Sequence, residues 1–452
     1  MKNRLVSRRW IACAWMVLML ASIRAGEREG PDPSRDQRKL DIESFEYVWT
    51  TIRDKHFDPT FGGNDWQSVH GEFRPKIEKA GSKDETRQIL QDMMSLLHFS
   101  HFNIIPSEVY HLLNRPDGSG SWDGTTGMDV RVIHGEALVT RVEAASPASL
   151  AGVRPGWKIV RIRDCWMDSV LVPVTQEFKD SNRSAAMLAL AVLDRLAGAV
   201  GDSVDIRFLD GNDRPVLRRF HLARTRGEKY RLGHLPPFSV WIEVDTLKYT
   251  IGYIAFNAFL NPVRIMPAYN QAMMSFMNAK GIIIDLRGNA GGMGDMVMGM
   301  AGWLVSARNQ HLGTSRTRDA ELRFVIFPRP ATYAGPVAVL VDGLSVCGAE
   351  IFAQGLRDLG RARLFGTRTY GAAMASAIEK LPNGDGFLYA FANYTSRNGD
   401  VLEKNGLRPD VEVPITRKAL LKGKDPVVEA AVRWIRDHAF GTARFTADRK
   451  AP

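Results

Sequence analysis

Apolar residues return at helical spacing between about residues 40 and 97, where Phe45, Val48, Trp49 and Ile52 make one stripe and Ile89, Leu90, Met93, Met94 and Leu97 another. This pattern predicts a small helical domain. It ends in Leu97-His98-Phe99-Ser100-His101-Phe102, and Asn114-Arg115-Pro116-Asp117-Gly118-Ser119-Gly120 follows as a turn-rich linker. From about 124 to 224 the chain carries short β-like runs, at 128–133, 137–142, 158–162 and 204–208, bounded by Gly and Pro. They predict a β-rich module. Residues 168–196 read as an insertion in it, because a helical run at 185–196 breaks the β pattern. Beyond about 230, strand-like runs at 250–256, 281–286, 337–341 and 362–365 are interspersed with helical ones near 293–305 and 349–359, and an amphipathic helix at 425–437 closes the pattern. Such alternation predicts an α/β core.

At 452 residues and 45% hydrophobic, the chain is long enough for two or three cores. The formal charge of +10 comes from 60 basic and 50 acidic residues spread without a Lys/Arg block, so nothing points to nucleic acid. Residues 1–26 combine a basic start, an apolar run from Trp10 to Ala21 and the small residue Ala25, the pattern of a cleaved signal peptide. An uncleaved anchor is the alternative, although the run is short for a bilayer. Export to the periplasm or the exterior is therefore expected, with no membrane span once the signal is removed. Of the three cysteines Cys13 lies in the signal, leaving Cys165 and Cys347. A disulfide framework is excluded, and one bridge between these two is formally allowed in an oxidising compartment. No two histidines stand at ligand spacing with a carboxylate partner, so neither a metal nor a cofactor is expected.

Two segments carry chemistry. Gly281-Ile282-Ile283-Ile284-Asp285-Leu286-Arg287-Gly288-Asn289-Ala290-Gly291-Gly292 reads as a buried strand running into a loop whose glycines let backbone N–H groups face an oxyanion. A plain strand-to-helix turn would need no more than the glycines. Val337 to Phe352, with Asp342-Gly343-Leu344-Ser345-Val346-Cys347-Gly348-Ala349-Glu350-Ile351 at its centre, reads as strand, loop and helix. The amides and dipole of a helix N-terminus favour a thiolate at Cys347, whereas on composition alone a buried cysteine is a small hydrophobe.

Both segments resemble the C-terminal processing peptidase and tricorn core family of serine-type peptidases, the first through its Leu-Arg-Gly-Asn, any residue, Gly-Gly string. In the second, aligning Glu350-Ile351 and Asp358-Leu359-Gly360-Arg361-Ala362 with the family pattern puts Cys347 on the nucleophilic serine, with Ser345 two residues early. Residues 145–160 resemble the PDZ segment of a short helix, a Gly-bounded turn and a strand. Where processing peptidases have a basic lysine after Thr-aromatic-Gly, this chain reads Thr369-Tyr370-Gly371-Ala372-Ala373, so a Ser-Lys dyad is excluded. The chain instead resembles the tricorn branch, which implies a Ser-His pair at Ser100-His101 and a glutamate at Glu403, in Glu403-Lys404-Asn405-Gly406-Leu407-Arg408-Pro409-Asp410.

The resemblance implies four parts: a signal peptide (1–26), an N-terminal helical domain (27–120), an inserted PDZ-like β-rich domain (121–226) and an α/β peptidase core with the crotonase-like β/α spiral (227–452). It also implies a mechanism in which His101 takes the Cys347 proton, Ser100 and Glu403 orient and polarise the site, and Gly348 with either Gly291 or Gly292 stabilises the oxyanion. Substrates would be peptides or proteins, captured at the PDZ-like domain by a C-terminal carboxylate. The competing class is a pseudoenzyme, a peptide-binding protein of the same fold without turnover.

Overall fold

A computed structural model describes residues 35–109, 123–179, 181, 183–234 and 237–447. The signal peptide and the linker at 114–120 lie outside the described residues. The chain divides into two compact units, the first comprising Met1–Ser107, Ser315–Leu322 and Met374–Tyr394 and the second Glu108–Thr314, Arg323–Ala373 and Thr395–Pro452. Together they make a mixed α/β fold with helices at its N-terminal end.

In the first unit the predicted helical stretch folds as Arg35–Lys55, Trp66–Glu78 and Lys83–Ser95. The starts of the last two are fixed by side chains that take up orphan amides: Asp65 accepts from Gln67 N and Ser68 N, and Ser82 from Glu85 N. Phe45, Trp49, Ile52, Leu90, Met93 and Leu97 pack with Phe387 and Tyr389 into one cluster. The indole N–H groups of Trp49 and Trp66 donate to each other's backbone carbonyl at 2.9 and 3.1 Å. Strands Asn103–Ile105 and Ala375–Lys380 both pair antiparallel with Gly386–Ser396.

The second unit holds two six-stranded sheets. One is antiparallel, in the order Met128–Ile133, Glu136–Val142, Lys158–Ile162, Ser203–Leu209, Pro215–His221, with Cys165–Trp166 also on Lys158–Ile162; Met128–Ile133 is therefore an edge strand. Helices Met167–Glu177 and Ser184–Leu196 interrupt it, in the stretch read as an insertion. The other sheet runs Ile242–Leu247, Ile251–Phe256, Gly281–Asp285, Val337–Val341, Arg363–Gly366, Val411–Glu412, antiparallel at the first pair and parallel thereafter. Its central strands are buried at every residue, which is why they read as unbroken apolar runs. Helix Pro426–Ala447 covers one face through Val427, Ala430, Ala431 and Ile435 against Ile251, Ile283, Leu340 and Phe365. Ile242–Leu247, whose residues are mostly exposed, and helix Pro262–Ser275 went unread in the sequence.

Inside the first unit Asp385 is fully buried and takes two hydrogen bonds from Arg87, Nε at 2.9 Å and Nη2 at 2.8 Å, and a third from Ser107 N at 2.8 Å. Burial alone would raise its carboxyl, but these bonds and the charges of Arg87 and Lys83 outweigh it and hold the pKa below the usual value. A depressed carboxyl contributes stability above its unfolded pKa and loses it as pH falls through the folded one. Asp385→Ala, which strands Arg87, is expected to cost about 3–5 kcal/mol at pH 7. In urea titrations that gap should shrink steadily below about pH 4. A gap unchanged down to pH 2 would contradict the assignment.

Candidate active site

Cys347 sits between strand Val337–Val341 and helix Gly348–Asp358, at φ 52° and ψ −115°. A β-carbon-bearing residue held at positive φ is strained by about 1–3 kcal/mol, and such strain persists only where surrounding bonds over-determine it. Those bonds are visible. Cys347 N–H donates to Glu350 Oε2 at 3.0 Å, Val346 N–H to Asn289 O at 3.0 Å and Tyr370 N–H to Ser345 O at 3.3 Å.

Burial, followed by the negative charge of Glu350, pushes the Cys347 thiol up to about 11, while the N–H groups of Gly348 and Gly292 pull the other way. The expectation of a favoured thiolate is thereby corrected: the helix start is present, but desolvation and a like charge outweigh its amides. Cys347 is half-buried, and both it and Cys165 are free thiols. Ser345, two residues earlier, is fully buried and committed to structure, its hydroxyl donating to Leu286 O at 2.7 Å and accepting from Asp342 N at 2.9 Å.

The glycine loop lies against this turn. At Gly291, φ +77°, an added Cβ would stand 2.7 Å from both Cys347 Cβ and Gly348 N; at Gly292, φ +139°, it would stand 2.3 Å from Phe259 O. Only glycine allows that approach. The N–H of Gly291 is engaged by Asn289 Oδ1 at 2.9 Å, so of the two glycines it is Gly292 whose N–H acts on the ionisation of the sulfur. Asn289, fully buried, also donates from Nδ2 to Phe256 O at 2.7 Å. Asp342 ties the two loops: Oδ1 accepts from Gly288 N at 2.9 Å and Leu344 N at 3.0 Å, and Oδ2 pairs with Arg131 Nη2 at 2.7 Å.

Glu350 organises the other side. Fully buried, it accepts from Thr369 Oγ1, from Gly371 N at 2.8 Å and from Ala372 N at 2.9 Å in addition to Cys347 N. Burial raises its pKa against the pull of those donors. The sequence used Glu350 only to set the alignment. Its position at the third residue of a helix is the signal that it could reach back to the preceding N–H.

Glu403 is buried in the second unit, with Arg183 Nη2 3.3 Å from its Oε1. Ser100 and His101 belong to the first unit, both buried, Ser100 Oγ lying 2.7 Å from His101 Nδ1, with His101 at φ 64°. Asn289 entered the sequence reading only as part of the Leu-Arg-Gly-Asn string, and Asp342 and Arg183 were given no role, since a single polar residue in a loop carries no pattern. Among the described residues no group of three or more His, Cys, Asp and Glu side chains is placed to hold a metal ion.

Residues 250–413, which contain Cys347, Gly291, Gly292 and Glu403, match Peptidase family S41, and residues 42–95 match the Tricorn protease C1 domain. Tricorn protease homolog 2 of Streptomyces coelicolor is 25% identical over 428 residues, covering 89% of this chain but only 32% of that protein, so the chain spans about a third of that relative. The carboxyl-terminal-processing protease of Synechocystis sp. is 24% identical over 421 residues, covering 90% of this chain and 89% of the relative. In fold, the chain is similar to the photosystem II D1 C-terminal processing protease, at TM-score 0.55 and 18% identity over 86% of this chain and 98% of that one. It is similar also to mature CPAF, at TM-score 0.57 and 13% identity over 92% and 99%. With matches at both its N-terminal helices and the strands that carry Cys347, and a relative spanned nearly end to end, this chain is similar to the C-terminal processing peptidases along most of its length.

Proposed function

We propose that the protein is an exported endopeptidase that cleaves peptide bonds through a thioester on Cys347. The observation that carries this reading is the close approach of the Gly291-Gly292 loop to the strained Cys347 and to Gly348 N, while the neighbouring Ser345 hydroxyl is locked in structural bonds. The Gly348 and Gly292 amides, which act on the ionisation of the sulfur at rest, are suited to take the carbonyl oxygen that becomes negative when sulfur attacks beside it. In the reaction the S–C bond forms as the thiol proton passes to a base, for which family resemblance nominates His101, oriented by Ser100. The amide C–N bond then breaks and the proton goes to the leaving amine. Water next attacks the thioester, the C–S bond breaks and the sulfur recovers its proton. Glu403 polarises the site. A thiol held near pKa 11 requires this proton transfer at the moment of attack, in contrast to a preformed thiolate.

In this reading residues 1–26 are a removed signal, 27–120 the helical domain, 121–226 a PDZ-like domain and 227–452 a crotonase-like β/α spiral core. The edge position of Met128–Ile133 suits it to take a peptide as an added strand, with the substrate's terminal carboxylate held by the preceding loop.

Cys347→Ala is expected to abolish cleavage of a peptide library and His101→Ala to cost nearly as much, because members of one catalytic unit lose activity non-additively. Ser345→Ala should leave the chemistry largely intact and instead lower stability by about 1–2 kcal/mol. Cleavage by Cys347→Ala at the parent rate would end the proposal. Cys347→Ser reports whether the site is still shaped for oxygen, since retained or raised activity requires that it is.

In a Cys165→Ser background, iodoacetamide should alkylate Cys347 slowly at pH 7, with a rate climbing roughly tenfold per pH unit to about pH 10. A rate at pH 7 matching an exposed thiol would show that burial does not hold the proton. Full-length Cys347→Ala protein should bind substrate-derived peptides clearly more weakly once their C-terminus is amidated. Equal affinity for acid and amide would count against carboxylate capture.

A further inference from the structure

Arg183 stands at the start of helix Ser184–Leu196, in the helical stretch that interrupts the antiparallel sheet and far in sequence from the loops around Cys347. Its Nη2 donates to Gly371 O at 2.9 Å and lies 3.3 Å from Glu403 Oε1, and its guanidinium lies 4.9 Å from the Tyr370 ring centre. Gly371 O also accepts from Lys404 N at 2.9 Å, so the arginine grips the point where residues 369–372 meet residues 403–404. One turn further along the same helix, Met187 Sδ accepts from Tyr370 Oη at 3.7 Å. The gripped loop is the one whose Gly371 and Ala372 amides bind Glu350, and Glu350 in turn holds the N–H of Cys347. Glu403 is 4% exposed, and a carboxylate so buried needs a positive partner to stay in place.

We propose that Arg183 is a positioning residue for peptide-bond cleavage: it fixes the Glu403 carboxylate and the 369–372 loop, so that the inserted helices complete the peptidase site from outside the core. This rests on the reading of Cys347 and Glu403 as members of one site. A planar guanidinium that bonds a carbonyl and a carboxylate while lying over an aromatic ring does what a lysine ammonium does only in part.

The test is a cycle on the full chain. Arg183→Ala should lower kcat about 10- to 100-fold with KM within about threefold, the signature of an interaction that matters in the transition state. Arg183→Lys should recover part of the loss. In a Glu403→Ala background, adding Arg183→Ala should lower kcat by a clearly smaller factor than it does in the parent, since only its hold on the 369–372 loop is left to lose. Full additivity, or a rise in KM at unchanged kcat, would overturn the proposal. Hydrogen exchange gives a readout independent of turnover: Arg183→Ala should speed exchange at residues 369–373 and 403–405 and leave the central strands unchanged. Unchanged exchange in those two segments would equally overturn it. Should Cys347→Ala prove active, the peptidase reading fails by itself, and the exchange experiment still decides whether Arg183 holds the loops.

Discussion

Four donors from two separate stretches of chain end on a single buried carboxylate. Cys347 N, Thr369 Oγ1, Gly371 N and Ala372 N all reach Glu350, and without it the turn at Cys347 and the loop at 369–372 have no common anchor. Burying a charged carboxylate costs several kcal/mol, which is offset only when its lone pairs are fully occupied, as they are here. The same charge lies close enough to the sulfur to raise its pKa. One residue therefore builds the geometry of Cys347 and restrains its ionisation, so that neither property is separable from the other by substitution at that position.

Residue 372, where the resemblance to processing peptidases leads one to look for a lysine, is an alanine. Ala372 is fully buried, its N–H given to Glu350, and its methyl offers no amine. The loop at 369–372 is left with a structural role: Thr369 Oγ1 accepts from Leu407 N at 2.7 Å, joining it to the segment that follows Glu403.

Much of this was legible in the sequence because of where the residues are buried. Strands 281–285 and 337–341 are covered on both faces and spell continuous apolar runs, and helices 35–55 and 83–95 bury the stripes that Phe45, Val48, Trp49 and Ile52 and then Leu90, Met93 and Met94 spell. Ile242–Leu247, an edge strand of mixed exposure, gave no such run. The sheet that completes the first unit joins residues 103–105 to residues nearly three hundred positions later, a closure that local periodicity does not encode. The motifs drew attention to Cys347, to Gly291 or Gly292, and to Glu403, whereas the contacts that Asp342 and Arg183 make with distant parts of the chain leave no local pattern. The ionisation of Cys347 was misread for the same reason: helix position is local and visible, but desolvation is a property of everything packed around the sulfur.

The high pKa of that thiol bears on the redox fate of the protein. Peroxide and disulfides react with the thiolate, so a sulfur that stays protonated is oxidised slowly to the sulfenic acid or to a mixed disulfide. A serine would be indifferent to such conditions, and a cysteine of the activated kind would be consumed by them. Cys347, screened by its own burial, falls between these cases, whereas the exposed Cys165 meets oxidants directly. Under oxidative stress, then, damage would accumulate first at Cys165 on the antiparallel sheet, and the more buried Cys347 would change later.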